Sequence, residues 1–255
     1  TFRDEPDGVS VLSTNRILNI QPTAANNVWC ITQDHKLYLY DTHLCQFLKT
    51  SNQINEKFKV DFRADNIYDI NGGNTWVTSA NADYLLRTND TDVLDFELIH
   101  VGQKGLKSGK VYFIYGDKKH REWILTDKGT TIYGKKFSTN VPYKWIREVG
   151  EYVFLATENG KVIVVDEKNR ATNVPLPEGI THINELKNTG YQLLLATNLG
   201  VVIYNPRTFK SEIINIQSPS QPLAEVKKLY VDDYGTVWTF TNGMGVTIVN
   251  PKTSE

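Results

Sequence analysis

A short phrase recurs six times in this chain and limits its fold more than any other feature. It is a run of apolar residues around one bulky side chain, closed by Thr or Ser. The copies are Val28-Trp29-Cys30-Ile31-Thr32, Thr75-Trp76-Val77-Thr78-Ser79, Glu122-Trp123-Ile124-Leu125-Thr126, Val153-Phe154-Leu155-Ala156-Thr157, Leu193-Leu194-Leu195-Ala196-Thr197 and Val237-Trp238-Thr239-Phe240-Thr241. The bulky position steps by 47, 47, 31, 40 and 44 residues. A period of that length marks a repeat architecture, whose units bury their apolar faces by stacking on neighbours.

The local pattern around each copy is that of a β-meander. An extended segment comes first, as in Val111-Tyr112-Phe113-Ile114-Tyr115, and a Gly or Asp turn leads into the phrase. A second turn, often ending in Gly (Gly129, Gly160, Gly200), leads to a third apolar strand such as Lys161-Val162-Ile163-Val164-Val165-Asp166. A more polar fourth segment follows, such as Ser211-Glu212-Ile213-Ile214-Asn215-Ile216. β-Branched and aromatic runs punctuated by Gly, Asn and Asp are hairpin signals. No window sustains a 3.6-residue apolar period, so almost no helix is expected.

Middle strands such as Leu193-Leu194-Leu195-Ala196 are apolar on both sides and must be covered on both faces. Four-stranded antiparallel sheets stacked around an axis meet that demand. The expected fold is therefore all-β, a β-propeller of six four-stranded antiparallel blades forming one domain over residues 1–255. The 31-residue step leaves room for only a stunted outer strand in the third blade. Thr50 to Lys59 and Gly102 to Lys110 read as solvated loops, and Lys118-Lys119-His120-Arg121 as a charged hairpin tip. The last repeat ends after its third strand, so a segment near Thr1-Phe2-Arg3-Asp4 is expected to supply the missing outer strand and protect that edge.

Composition narrows the function classes. With 28 Lys and Arg against 29 Asp and Glu, the net charge is −1, which offers no basic face for a nucleic-acid backbone. No apolar stretch approaches the ~20 residues of a membrane span, so direct membrane contact is not expected. Cys30 and Cys45 have neither the number nor the spacing of a disulfide framework or metal site, and are expected to be free, partly buried thiols. A start at Thr1 and a single methionine, Met244, suggest a piece of a larger or processed protein.

The final repeat, Val231-Asp232-Asp233-Tyr234-Gly235-Thr236-Val237-Trp238-Thr239-Phe240-Thr241-Asn242-Gly243-Met244-Gly245-Val246, resembles the two-component regulator propeller repeat. Leu12-Ser13-Thr14-Asn15-Arg16-Ile17 resembles the lead-in to that repeat's inner strand. The likeness runs along the whole chain and is weakest in the first two repeats, where His35 and Ala82 replace the turn glycine. The resemblance implies the extracytoplasmic sensor region of a Bacteroides-type hybrid sensor kinase. It also implies a periplasmic location, an oligosaccharide ligand, contact with neighbouring domains of the same sensor, and a homodimer. Propellers of that family usually have about seven blades in tandem, so six repeats imply either a smaller closed ring or part of a longer sensor. No kinase residues are present, and the chain is expected to be non-enzymatic.

Other motifs favour scaffold over chemistry. Asp233-x-Gly235-x-x-Trp238 reads as a structural turn, the bulky residues as packing between blades, and the closing Thr or Ser as a strand terminator. His35, His43, His100, His120 and His182 lack metal-ligand spacing. No nucleophile elbow or phosphate loop occurs, and no cofactor is expected. What remains is the common end where the second-to-third-strand turns and the first-strand lead-ins meet. There Asn15, Arg16, His35, Lys36, Asn81, Asp83, Lys128, Asn159, His182, Asn198 and Asn242 are the candidate ligand-binding residues. The competing readings are a protein-interaction platform and, more weakly, a propeller-fold carbohydrate-active enzyme, which would need converging carboxylates.

Overall fold

Six antiparallel sheets follow one another along the chain, each a meander whose second strand carries the recurring phrase. The first holds β1 (Ile17–Pro22), β2 (Val28–Thr32), β3 (Leu37–Asp41) and β4 (Gln46–Leu48), and a helix, α1 (Thr50–Phe58), follows it. The second holds β5 (Ala64–Ile70), β6 (Asn74–Ser79), β7 (Tyr84–Asn89) and β8 (Asp92–His100). The third holds β9 (Val111–Gly116), β10 (Glu122–Thr126), β11 (Gly129–Ile132) and β12 (Ser138–Thr139), the last being the stunted strand expected there. The fourth holds β13 (Trp145–Val149), β14 (Tyr152–Ala156), β15 (Val162–Val165) and β16 (Ala171–Asn173). The fifth holds β17 (Ile183–Asn188), β18 (Leu193–Thr197), β19 (Gly200–Asn205) and β20 (Lys210–Ile214). The sixth has three strands among the described residues, β21 (Val226–Val231), β22 (Val237–Thr241) and β23 (Gly245–Val249).

The structure is a computed structural model that describes residues 12–23, 26–48, 50–70, 73–89, 92–214, 216 and 224–249. The expected N-terminal closing strand lies outside them. Two compact units divide the chain, residues 1–140 and 141–255, each carrying three sheets.

Within each unit the sheets stack face to face. Trp29, Ile31, Leu37 and Leu39 of the first sheet pack on Ile67, Val77 and Leu86 of the second. The opposite face of the second sheet, through Trp76, Leu85 and Ile99, packs on Ile114 and Ile124 of the third. In the other unit, Phe154 of the fourth sheet packs with Leu186, Leu195 and Tyr204 of the fifth. Leu194, Val201 and Ile203 then pack with Leu229, Val237 and Val249 of the sixth. Continuous apolar strands are thus buried on both faces, as their composition requires.

The helix corrects the reading of residues 50–59 as a solvated loop. Only Ile54 and Phe58 give an i, i+4 apolar pair, too little to show as a period. Yet Ile54 is fully buried in the core beneath the first two sheets, and the Leu37 N–H donates to Ser51 Oγ at 2.7 Å. The chain leaves the helix through Lys59 at φ 58°, and the Phe62 N–H donates to Asn55 Oδ1. Packing, not propensity, forms this helix. The stretch after β8 is likewise not wholly solvated, since Val101 and Leu106 join the core between the second and third sheets.

The charged tip at Lys118–Arg121 is corrected as well. Arg121 is buried, and its Nε donates to the wholly buried carboxylate of Asp117, which also accepts from the Trp123 indole N–H at 2.8 Å. The two cysteines are free as expected, but only Cys30 is buried; Cys45 is exposed. Five of the six bulky residues are fully buried, and the sixth, Trp238, is 37% exposed.

Candidate functional site

In five of the six phrases the closing Thr or Ser sets the geometry of one end of its sheet, whereas the buried Thr241 Oγ1 of the sixth makes no hydrogen bond. Thr126 Oγ1 donates to Gly129 O at 3.1 Å, Thr197 Oγ1 to Gly200 O at 2.9 Å, and Thr32 Oγ1 to Asp34 Oδ1 at 2.6 Å. Thr157 Oγ1 accepts from the Lys161 N–H and Ser79 Oγ from the Tyr84 N–H. These hydroxyls fasten the turns on which most candidate ligand-binding residues sit. His35 (φ 65°) and Ala82 (φ 59°) take the left-handed conformation at the turn position that Gly160 (φ 82°) holds in the fourth repeat.

In the first unit the candidates divide between turn bracing and exposure. His35 is spent on the next sheet: its backbone C=O accepts from the Ala64 N–H at 2.8 Å, and its Nδ1 lies 2.9 Å from Ala64 O. Arg16 Nη1 donates to Gln33 Oε1, Lys36 pairs with Asp34 at 3.6 Å, and Asn81 Nδ2 donates to Asp83 Oδ2 at 2.7 Å. Lys128 stands 4.0 Å from Asp127, and Asn15 is exposed. Each lies at the expected end of its own sheet.

In the second unit three candidates come together. Asn198 Oδ1 accepts from the Thr181 and His182 N–H groups, and its Nδ2 donates to Gly179 O. The Ile183 N–H donates to Glu158 O, which brings the turn of Asn159 beside His182. Asn159 Oδ1 accepts from Thr157. Glu225 also faces this cluster; the Lys227 ammonium, with the Asn184 amide and nearby His182, holds its carboxyl below the usual range. Asn242 stays in the turn of its own sheet, exposed.

Sequence reasoning missed a second feature, at the opposite end of the fifth and sixth sheets. The β17–β18 and β21–β22 turns border an open cleft of about 450 Å³ lined by Asn188, Thr189, Tyr191, Val231, Asp232, Asp233, Tyr234 and Gly235. Tyr191 is 45% exposed and Tyr234 94% exposed, so two phenol rings stand at the rim. Asp232 builds the floor of its own turn. It accepts from the Trp238 indole N–H at 3.1 Å and from the backbone N–H groups of Tyr234 and Thr236. The indole contact, ahead of the backbone ones, keeps its carboxyl below the ordinary value. Asp233 is exposed beside it. The only sequence signal was a tyrosine next to glycine at both tips, Gly190-Tyr191 and Tyr234-Gly235.

No family model matches the sequence, and neither does any curated protein sequence. Solved structures do match. The extracellular domain of the hybrid two-component system BT4673 from B. thetaiotaomicron aligns over 93% of this chain and 34% of its own, with a TM-score of 0.56 at 15% identity. The C-terminal WD40 domain of Sif2 aligns over 91% of this chain and 68% of its own, with a TM-score of 0.58 at 10% identity. The chain has a β-propeller fold. Virginiamycin B lyase from Staphylococcus aureus shares that fold, over 91% of this chain and 83% of the lyase, with a TM-score of 0.55 at 10% identity. This propeller chain spans about a third of the length of the two-component relative. Among its described residues no helix is long and apolar enough to cross a membrane, and no group of three His, Cys, Asp or Glu side chains gathers to hold a metal.

Proposed function

We propose that this chain is a ligand-sensing propeller from the extracytoplasmic, periplasmic region of a two-component signalling protein, and that it responds to glycan fragments. The signalling role draws on the shared fold with the extracellular domain of the B. thetaiotaomicron hybrid two-component system over 93% of the chain. The glycan reading rests on one observation, the open cleft with Tyr191 and Tyr234 at its rim. Exposed aromatic faces stack on the C–H faces of sugars, and Asp233, Asn188 and Thr189 offer polar atoms for hydroxyl groups. Hydrolysis would need a pair of working carboxylates, and Asp232 is committed to holding its turn. The cleft therefore suits binding rather than turnover. To signal, a glycan must favour one arrangement of the sensor over another, because equal binding to both shifts nothing.

A thermal-shift screen across neutral and acidic oligosaccharides tests this reading. At least one glycan is expected to raise the melting temperature, and Tyr191→Ala and Tyr234→Ala are each expected to weaken its binding by about three- to tenfold. Binding that survives both substitutions would move the site to the other end of the sheets, around His182, Asn159 and Asn198. A screen in which no glycan stabilises the protein would reject the glycan reading.

A further inference from the structure

The cleft at the β17–β18 and β21–β22 turns lacks positive charge. Among the described residues its charged lining side chains are Asp232 and Asp233, and no lysine, arginine or histidine lines it. Lys187 and Lys228, on the adjoining first strands, lie against Glu185 instead, at 3.5 and 4.0 Å. Two other turns of the same build carry their own counter-ion. In each, a carboxylate accepts from the backbone N–H groups two and four residues on, and an arginine at the fourth position pairs with it. Asp117 has Arg121 at 2.5 Å, and Asp166 has Arg170 at 2.7 Å. In the sixth sheet that fourth position is Thr236. Asp232 accepts from the N–H groups of Trp238, Tyr234 and Thr236, and among the described residues no ion pair balances its charge.

The hydrogen-bonding groups of the cleft are as one-sided as its charge. Its fixed donors are spent within the turns. The Tyr234 and Thr236 N–H groups go to Asp232 Oδ1, the Gly235 N–H to Asp232 O, and the Gln192 N–H to Thr189 Oγ1. Asn188 Nδ2 donates to Glu148 O at 2.6 Å, which leaves its Oδ1 as an acceptor. Asp233 is exposed and, when ionised, can only accept. Beside these acceptors stand the exposed faces of Tyr191 and Tyr234. Aromatic faces attract cations, and a cleft lined by one sign of charge concentrates the other.

We propose that the glycan taken by this cleft carries a protonated amine, as an amino sugar with a free nitrogen does, and that Asp233 receives it. The assignment rests on the glycan reading of the cleft and narrows it. An ammonium group brings three N–H donors and a positive charge to a site that supplies acceptors and negative charge. Acetylation of that nitrogen removes the charge and all but one of the donors. A uronate or a sulfate is disfavoured on both counts, because it brings acceptors and a like charge. An exposed ion pair together with contact to a phenol face is worth about five- to tenfold in affinity.

Calorimetric titration of the 255-residue chain tests the proposal, at about pH 5.5, where the amine is protonated and both carboxylates are ionised. The probes are a β-1,4-linked glucosamine tetramer, its fully N-acetylated form and a galacturonate tetramer. The free-amine tetramer is expected to bind about five- to tenfold tighter than the acetylated one, with no detectable binding of the uronate. Asp233→Asn, at an exposed position, should bring the amine and acetylated tetramers to one affinity. An amine preference that survives this substitution would overturn the proposal, and so would equal affinities in the unsubstituted chain. Binding of a neutral or uronate glycan without binding of the free-amine tetramer would overturn it too, while leaving the glycan reading standing. Failure of every glycan to bind would reject that reading and the proposal together.

Discussion

At the scale of single residues, the decisive unit is a carboxylate six residues before a tryptophan. Asp117 and Trp123, and Asp232 and Trp238, make the same contact: the carboxylate caps the turn's backbone N–H groups and accepts the indole N–H. Their burial differs, and that sets their worth. Asp117 and Arg121 are almost wholly enclosed, so Asp117→Ala takes the carboxylate away from a buried guanidinium and should cost about 3–5 kcal/mol in denaturant unfolding. Asp232→Ala, at an open turn, should cost measurably less in the same assay. In the first two sheets the position six before the tryptophan is Thr23 or Ile70, and the indole N–H of Trp29 and of Trp76 has no partner. The turn at Thr23 repeats the backbone bonds of the Asp117 turn, with Thr23 N donating to Asn27 O and Asn26 N to Thr23 O. Thr23→Asp should therefore let a carboxylate reach Trp29 and raise stability by about 1 kcal/mol, read as a higher melting temperature. Of these contacts the sequence showed the turn of the last repeat, as Asp233-x-Gly235-x-x-Trp238. It pointed to Asp233, whereas Asp232 makes the bonds, because which of two adjacent carboxylates faces the indole depends on the turn's conformation.

At the scale of elements, strands were legible and their irregularities were not. Five of the six first strands carry a register shift, at Ile17/Asn19, Ala64/Asn66, Leu125/Thr126 opposite β9, Ile183/Glu185 and Val226/Lys228. A bulge adds one residue and re-aims its side chain; Asn184, at one of them, donates to Glu225 Oε1 and Val226 O on the next sheet. Ties of this kind hold neighbouring sheets together near their first strands, as does the Asn19 amide bonded to Asn66. Between the second and third sheets, Arg87 spans the gap to Glu122 at 2.9 Å, close to Glu97, with its guanidinium over the Trp76 and Tyr133 rings. The helix α1 is the element the sequence hid. Its one fully buried apolar side chain is Ile54, so Ile54→Ala should cost about 2–4 kcal/mol by leaving a cavity under the first two sheets. An unchanged unfolding midpoint would show that the helix docks through its polar contacts instead.

At the scale of the whole molecule, several carboxylates sit below their ordinary range: Asp232 through the Trp238 indole, Asp166 through the Arg170 backbone N–H, and Glu225 through Lys227. A carboxyl whose folded value is lowered binds protons more readily when unfolded. Its contribution is therefore fully present above the ordinary carboxylate range near 4 and is lost as the pH falls. Melting temperatures measured from pH 7 to pH 3 should stay level at first and then drop below about pH 4.5. At the alkaline end, burial pushes the Cys30 thiol up to about 11, which keeps it un-ionised at neutral pH.

The repeated phrase, with its period and flanking turns, by itself determined the sheets, their meander order and the propeller class, because backbone pairing and two-sided apolar strands leave few other arrangements. It also determined that the closing hydroxyls end their strands. Tertiary structure alone decided which side chains lie under cover. Arg121 is buried by Asp117, Ile54 by two sheets, and His35 is drawn to Ala64, whereas Trp238, with the same place in the phrase as Trp29, stands open. Burial is a property of what stacks on a residue, and the order of residues along one strand does not contain it.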